Sequence, residues 1–128
     1  MIAVDTSALM AIVLDEPGAE TCMVVLEQQA EIVISAGTVA EALIVSARRN
    51  VEEEMSRLIE ELGFEIIDVT AGMARRVAAA YDQWGKGVHP ALNFGDCFAY
   101  AVANERNCPL LYVGEDFART DIRLALSE

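Results

Sequence analysis

Four acidic residues have the types and the settings to do chemistry: Asp5, Glu41, Asp96 and Asp116. Singly, each has a structural explanation. Asp5 stands between an apolar triplet and a helical pattern, where a carboxylate caps the first turn by accepting a backbone N–H. Glu41 follows Thr38 by three residues, which is the spacing of a capping box. Asp96 follows Asn93 by three, at the head of a helix with the apolar stripe Phe94, Cys97, Phe98, Ala101 and Val102. Asp116, within Gly114-Glu115-Asp116-Phe117, is a turn-forming residue. Brought together, four carboxylates would repel one another and resist ionisation unless a cation neutralised them. Oxygen donors without His or Cys favour a hard ion, Mg²⁺ or Mn²⁺, over zinc. Such an ion keeps water and open positions for a phosphate, so the expected chemistry is phosphoryl transfer.

The elements around these acids decide whether they meet. Short apolar segments at 2–4, 31–35, 64–69 and 110–113 read as strands. Helical patterns cover 7–14, 18–29, 38–50, 51–62, 70–84 and 94–107, and a weak fifth strand is expected at 121–124. Strands alternating with helices imply an α/β fold, with a central, mostly parallel sheet of four or five strands flanked by helices. In such sheets the ligand site lies beyond the carboxyl ends of the strands. Asp5 and Asp116 follow strands directly, and Glu41 opens the helix after the second strand. Asp96 heads a helix joined to the strand at Leu110 by Cys108-Pro109 alone, so its helix also begins at that edge. For this the loop 85–92 is expected to cross the thickness of the domain, within reach at about 3.5 Å per residue.

A chain of 128 residues suits a single domain, here 1–128. It is 54% hydrophobic, yet no apolar run approaches bilayer length, and Met1 leads into Ile2-Ala3-Val4-Asp5 without a basic or apolar leader. A cytoplasmic protein with no membrane association is the expectation. Cys22, Cys97 and Cys108 are widely spaced, in apolar surroundings, and read as buried thiols. Nine basic residues against 21 acidic give a net charge of −12, which repels nucleic acid from most of the surface. Nucleic-acid chemistry therefore requires a few cations grouped near one cleft, with Lys86 and Arg119 as the candidates. Arg75 and Arg76 fit solvated helix faces at least as well. His89 sits in a Gly/Pro loop with no nucleophile at a useful spacing. Met10, Met23, Met55 and Met73 read as core or interface fillers. The apolar surplus of the first two helices, from Leu9 to Leu14, suggests a dimer face or a groove for a partner.

The motifs Ile2-Ala3-Val4-Asp5-Thr6-Ser7-Ala8, Thr38-Val39-Ala40-Glu41-Ala42, Asn93-Phe94-Gly95-Asp96-Cys97-Phe98 and Gly114-Glu115-Asp116-Phe117-Ala118-Arg119-Thr120-Asp121, in this order, resemble the PIN domain. Within it they are similar to the VapC-type toxins of toxin–antitoxin modules. The resemblance spans the whole chain. It implies a PIN-like three-layer sandwich with strand order 3-2-1-4-5 and an endoribonuclease using Mg²⁺ or Mn²⁺. It also implies a cognate VapB-type antitoxin that occludes the site, and a homodimer. Asp5, Glu41 and Asp96 look like metal ligands and Asp116 like the fourth acid. Asp121 resembles a supporting acid, Thr6 or Ser7 the small hydroxyl residue beside the first Asp, and Asn93 the amide that orients a neighbouring carboxylate. Two rivals share the same acids. Aspartyl-phosphate chemistry would use Asp5, but D-x-D is missing there. A catalytically weak acidic module that only binds metal or a basic peptide is the other.

Overall fold

The computed structural model describes residues 1–126. Along the chain run β1 (Ile2–Val4), α1 (Thr6–Val13), α2 (Ala19–Glu27), β2 (Ile32–Ser35), α3 (Ala36–Arg48), α4 (Glu52–Glu61), β3 (Glu65–Ile67), α5 (Ala71–Trp84), α6 (Phe94–Arg106) and β4 (Leu110–Leu111). The strands are all parallel in the order β3-β2-β1-β4. Each central strand is buried throughout because helices cover both faces of the sheet. Side chains alternate across it: Ala3 and Val33 face α5 and α6, while Ile2, Val4, Ile32 and Ile34 face α1, α2 and α4. This is the three-layer sandwich expected from the sequence.

Strand lengths fall short of expectation at both edges. β3 keeps only three residues because β2 offers it Val33 to Ser35 as partners, and Glu65 and Ile66 lie exposed on the outer edge. The expected fifth strand is reduced to a parallel bridge between Leu124 and Leu110, with Leu110 N–H donating to Arg123 O at 2.8 Å. The segment before it is still turning: Thr120 N–H bonds Phe117 O, and Ile122 N–H bonds Thr120 Oγ1. The order 3-2-1-4-5 nevertheless holds in outline.

One expectation is corrected. The loop 85–92 does not cross the domain. Leu92 N–H donates to Trp84 O at 3.0 Å, Trp84 meets Tyr100, and Arg76 meets Glu105. α5 and α6 are thus an antiparallel pair, and α5 ends beside the start of α6. The apolar surplus of α1 is divided between core and surface, with Ile12, Val13 and Leu14 half-buried and Val24 of α2 exposed. Leu9, Met10 and Ala11 are buried, and Ile12, Val13 and Leu14 pack against the same core, because α1 lies between α2, α3 and α4. The three cysteines are free and buried, and Met10, Met55 and Met73 are core residues. Among the described residues no helix is long and apolar enough to cross a membrane.

Candidate active site

Asp5 is delivered by β1 and held by α1. Its Oδ2 accepts from Ser7 N–H at 3.0 Å and from Ser7 Oγ–H at 2.6 Å, so the N-cap reading is correct for one oxygen. Ser7 Oγ in turn accepts from Val113 N–H at 2.9 Å, which ties the exit of β4 to the exit of β1. The other oxygen, Oδ1, is buried and has no hydrogen-bond partner among the described residues, on a residue only 2% exposed. A cap needs one oxygen. The second has no structural occupation, and an orphaned buried carboxylate oxygen costs stability unless something positive meets it.

Glu41 is not a capping residue. α3 begins at Ala36 and is capped by Ser35, whose Oγ accepts from Gly37 N–H at 3.1 Å. Thr38 lies inside the first turn with its hydroxyl buried and unpartnered. Glu41 sits one turn further and accepts the Thr6 hydroxyl hydrogen at 2.6 Å on Oε1. Its carboxylate also occupies the space over Gly95: a Cβ there would collide with it, and a Cβ on Gly37 would strike the Phe98 ring. The two glycines let α3 and α6 approach with acid and ring between them.

Asp96 does close a capping box. Its N–H donates to Asn93 Oδ1 at 2.8 Å, and its Oδ2 accepts from Asn93 N–H at 3.0 Å. Asn93 thereby fixes the carboxyl, as an orienting amide would. Asp116 follows β4 on an exposed turn, close enough for its charge to act on Asp96. Asp121 stands apart from these contacts: it accepts from Tyr100 Oη at 2.6 Å, and Tyr100 accepts from Trp84 Nε1–H at 3.1 Å. It braces α6 from the C-terminal segment.

The electrostatics show the acids acting on one another. Burial pushes the Asp5 carboxyl up to about 6, with the Glu41 charge adding to the rise and the Ser7 hydrogen bonds opposing it. Asp96 is pushed up to about 8, by burial first and then by the charges of Asp5 and Asp116, against the hydrogen bond from Asn93. The charge of Glu41 thus reaches Asp5, and those of Asp5 and Asp116 reach Asp96. Among the described residues no three acids, histidines or cysteines are already gathered around one point. Glu41 leans to Thr6, and one oxygen of Asp96 is engaged by its cap. The donor types fit a hard divalent ion: oxygens only, one of them buried and, among the described residues, unpartnered.

The cations are less concentrated. Lys86 pairs with Asp82 at 2.9 Å and Arg76 with Glu105 at 3.7 Å, both on the surface. Arg119 is exposed on the turn that carries Asp116, Arg75 is exposed on α5, and His89 is exposed in its loop. Sequence reasoning missed Gly95 and Phe94. A glycine in the first turn of a helix, where alanine would be preferred, was the available signal.

The PIN-domain family model matches residues 2–123 of the chain. The VapC ribonuclease Mb2780c of Mycobacterium bovis is 42% identical over 128 residues, covering 95% of this chain and 97% of that protein. Among solved structures, Mycobacterium tuberculosis VapC20, described as a sarcin-ricin loop cleaving toxin, superposes with a TM-score of 0.76 at 16% identity, over 95% of this chain and 96% of that one. A toxin–antitoxin complex from Klebsiella pneumoniae gives 0.73 at 18% identity over the whole of both chains. With a sequence match across nearly its full length and the same fold, the chain belongs to the PIN-domain family and, within it, to the VapC ribonucleases.

Proposed function

We propose that residues 1–128 act as one domain, an endoribonuclease that hydrolyses RNA phosphodiester bonds with Mg²⁺ or Mn²⁺ and serves as the toxin of a toxin–antitoxin pair. The observation that carries this is the Oδ1 of buried Asp5, unpartnered among the described residues, together with burial that holds the Asp5 and Asp96 carboxyls above their ordinary range. The relatives support it: the M. bovis protein is named a ribonuclease, and the Klebsiella neighbour is a toxin–antitoxin complex. Asp5, Glu41 and Asp96 would hold the ion, with Asp116 as the fourth acid. When bound, the ion supplies positive charge for the phosphate and acidifies water.

The chain's own residues do the rest. Ser7 fixes Asp5 through Oδ2 and leaves Oδ1 free, Thr6 fixes Glu41, and Asn93 fixes Asp96. One of the acids, with exposed Asp116 as the candidate, would accept the proton of the attacking water. Attack by water leaves a 5′-phosphate and a 3′-hydroxyl, with no role for the 2′-hydroxyl. Cleavage of RNA by the purified chain in Mg²⁺ or Mn²⁺, abolished by EDTA, is expected. Cleavage that persists in EDTA would overturn the reading.

Gly95→Ala tests the geometry. The new Cβ displaces the Glu41 carboxylate, the flexible end of a long side chain, and breaks its bond to Thr6. Cleavage should fall by about tenfold or more. The melting temperature should hold or rise, because alanine is favoured over glycine in a helix by about 1 kcal/mol. Unchanged cleavage would show that Glu41 is not needed where it stands. A VapB-type antitoxin and a homodimer belong to the same proposal. Sedimentation equilibrium at micromolar concentration should give twice the mass of the chain, and a monomer would remove the dimer.

A further inference from the structure

Between α3 and α6 lies a cleft of about 380 Å³, lined by Gly37, Glu41, Ile44, Arg48, Phe94 and Phe98 among others. Glu41, Ile44 and Arg48 are spaced along one face of α3, and Arg48 lies about 10 Å along the axis from Glu41. On the opposite wall, Phe94 is 72% exposed, at the first position of the helix that carries Asp96. Its ring meets Phe98 edge-to-face, with centroids 5.0 Å apart and planes at 83°. Such a contact covers at most one face of the ring, and an exposure this large leaves the other open. Arg48 is in no ion pair among the described residues, in a chain whose net charge is −12.

We propose that Phe94 and Arg48 form a subsite for single-stranded RNA beside the scissile bond, with a flanking nucleobase stacked on Phe94 and a neighbouring phosphate held by Arg48. This rests on the RNA-cleaving reading above. An open aromatic face and a guanidinium on one short cleft match the alternation of base and phosphate in an unpaired strand. The cleft also runs into the acid site, since Glu41 belongs to both. A strand whose phosphate sits at the acids has its next nucleotide in this cleft. The positive charge that the overall composition withholds is thereby supplied locally.

The test separates binding from chemistry with Phe94→Ala, Phe94→Trp and Arg48→Ala, using a single-stranded RNA that the parent cuts. Phe94→Ala should raise KM by about tenfold or more while kcat stays within about twofold, and Phe94→Trp should restore KM. Arg48→Ala should make binding less salt-dependent, lowering the slope of log K against log salt by about 0.7. Binding of the same RNA in EDTA, where nothing is cut, should weaken in parallel for Phe94→Ala. Because Phe94 is exposed, its truncation leaves the fold intact. Unchanged KM and binding in Phe94→Ala would overturn the subsite while metal-dependent cleavage stood. Phe94→Ala converting a dimer to a monomer, or losing an antitoxin partner, with RNA binding unaltered, would assign the cleft to a protein and overturn it as well. Failure of the parent to cut RNA would strike the underlying reading, and the EDTA comparison would still decide the subsite.

Discussion

Asp5→Asn and Asp96→Asn should each lower RNA cleavage by more than about 100-fold and at the same time make the metal-free protein more heat-stable near pH 8. Losing an outer-shell partner of a metal site costs about 10- to 100-fold, and these substitutions remove ligands themselves. In Asp5→Asn the new amide oxygen can still accept from Ser7, and in Asp96→Asn it can still accept from Asn93 N–H, so both helix caps survive. What disappears is a buried charge. For Asp5 alone, the rise from an ordinary 3.8 to about 6 corresponds to roughly 3 kcal/mol of folding free energy withheld once the group ionises. Cleavage assays paired with thermal melts in EDTA check both halves. Loss of activity with a lower Tm would mean the acids are structural, and retained activity would remove them from the chemistry.

The second large effect is a pH dependence that a divalent ion reverses. Both carboxyls have folded-state values raised above the unfolded one, so the folded chain binds more protons than the unfolded chain between those values. Their contribution is fully present below about pH 4 and is lost as pH rises through about 6 for Asp5 and about 8 for Asp96. In EDTA the Tm should therefore fall from pH 5 to pH 8.5. Mg²⁺ or Mn²⁺ should raise it strongly at pH 8 and weakly at pH 5, where the ion must first displace protons. A Tm that ignores the ion at pH 8 would contradict the site. A flat profile in EDTA would show that these carboxyls are not strained by burial.

Much of this was legible before any coordinates. The run Ile2-Ala3-Val4-Asp5 had one reading, a buried strand that delivers an acid to the carboxyl edge of a parallel sheet, and that is where Asp5 lies. The short connection Cys108-Pro109 fixed the direction of α6 and with it the edge that Asp96 occupies. The failures have local causes. Ser35 and Thr38 are both good caps, Ala36-Gly37 between them fits helix or turn, and only packing chose Ser35, freeing Glu41 for Thr6. The loop 85–92 was given a crossing it does not make because pattern alone cannot show that α5 lies antiparallel to α6. Composition does not reveal how the apolar run of α1 divides between core and surface: Leu9 to Ala11 are buried, and Ile12 to Leu14 are half-buried. Gly95 shows in the sequence only as an unfavoured glycine in a first helical turn; the reason for it is the carboxylate lying over it.

The most direct measurement is a crystal of this chain soaked in Mn²⁺, with anomalous scattering used to find the ion. A peak is expected within bonding distance of Asp5 Oδ1 and of carboxylate oxygens from Asp96 and Glu41, with Glu41 turned from Thr6 to reach it. Peaks only at surface acids such as Glu52, Glu53 and Glu54, or none near Asp5 at a concentration that supports cleavage, would contradict the site.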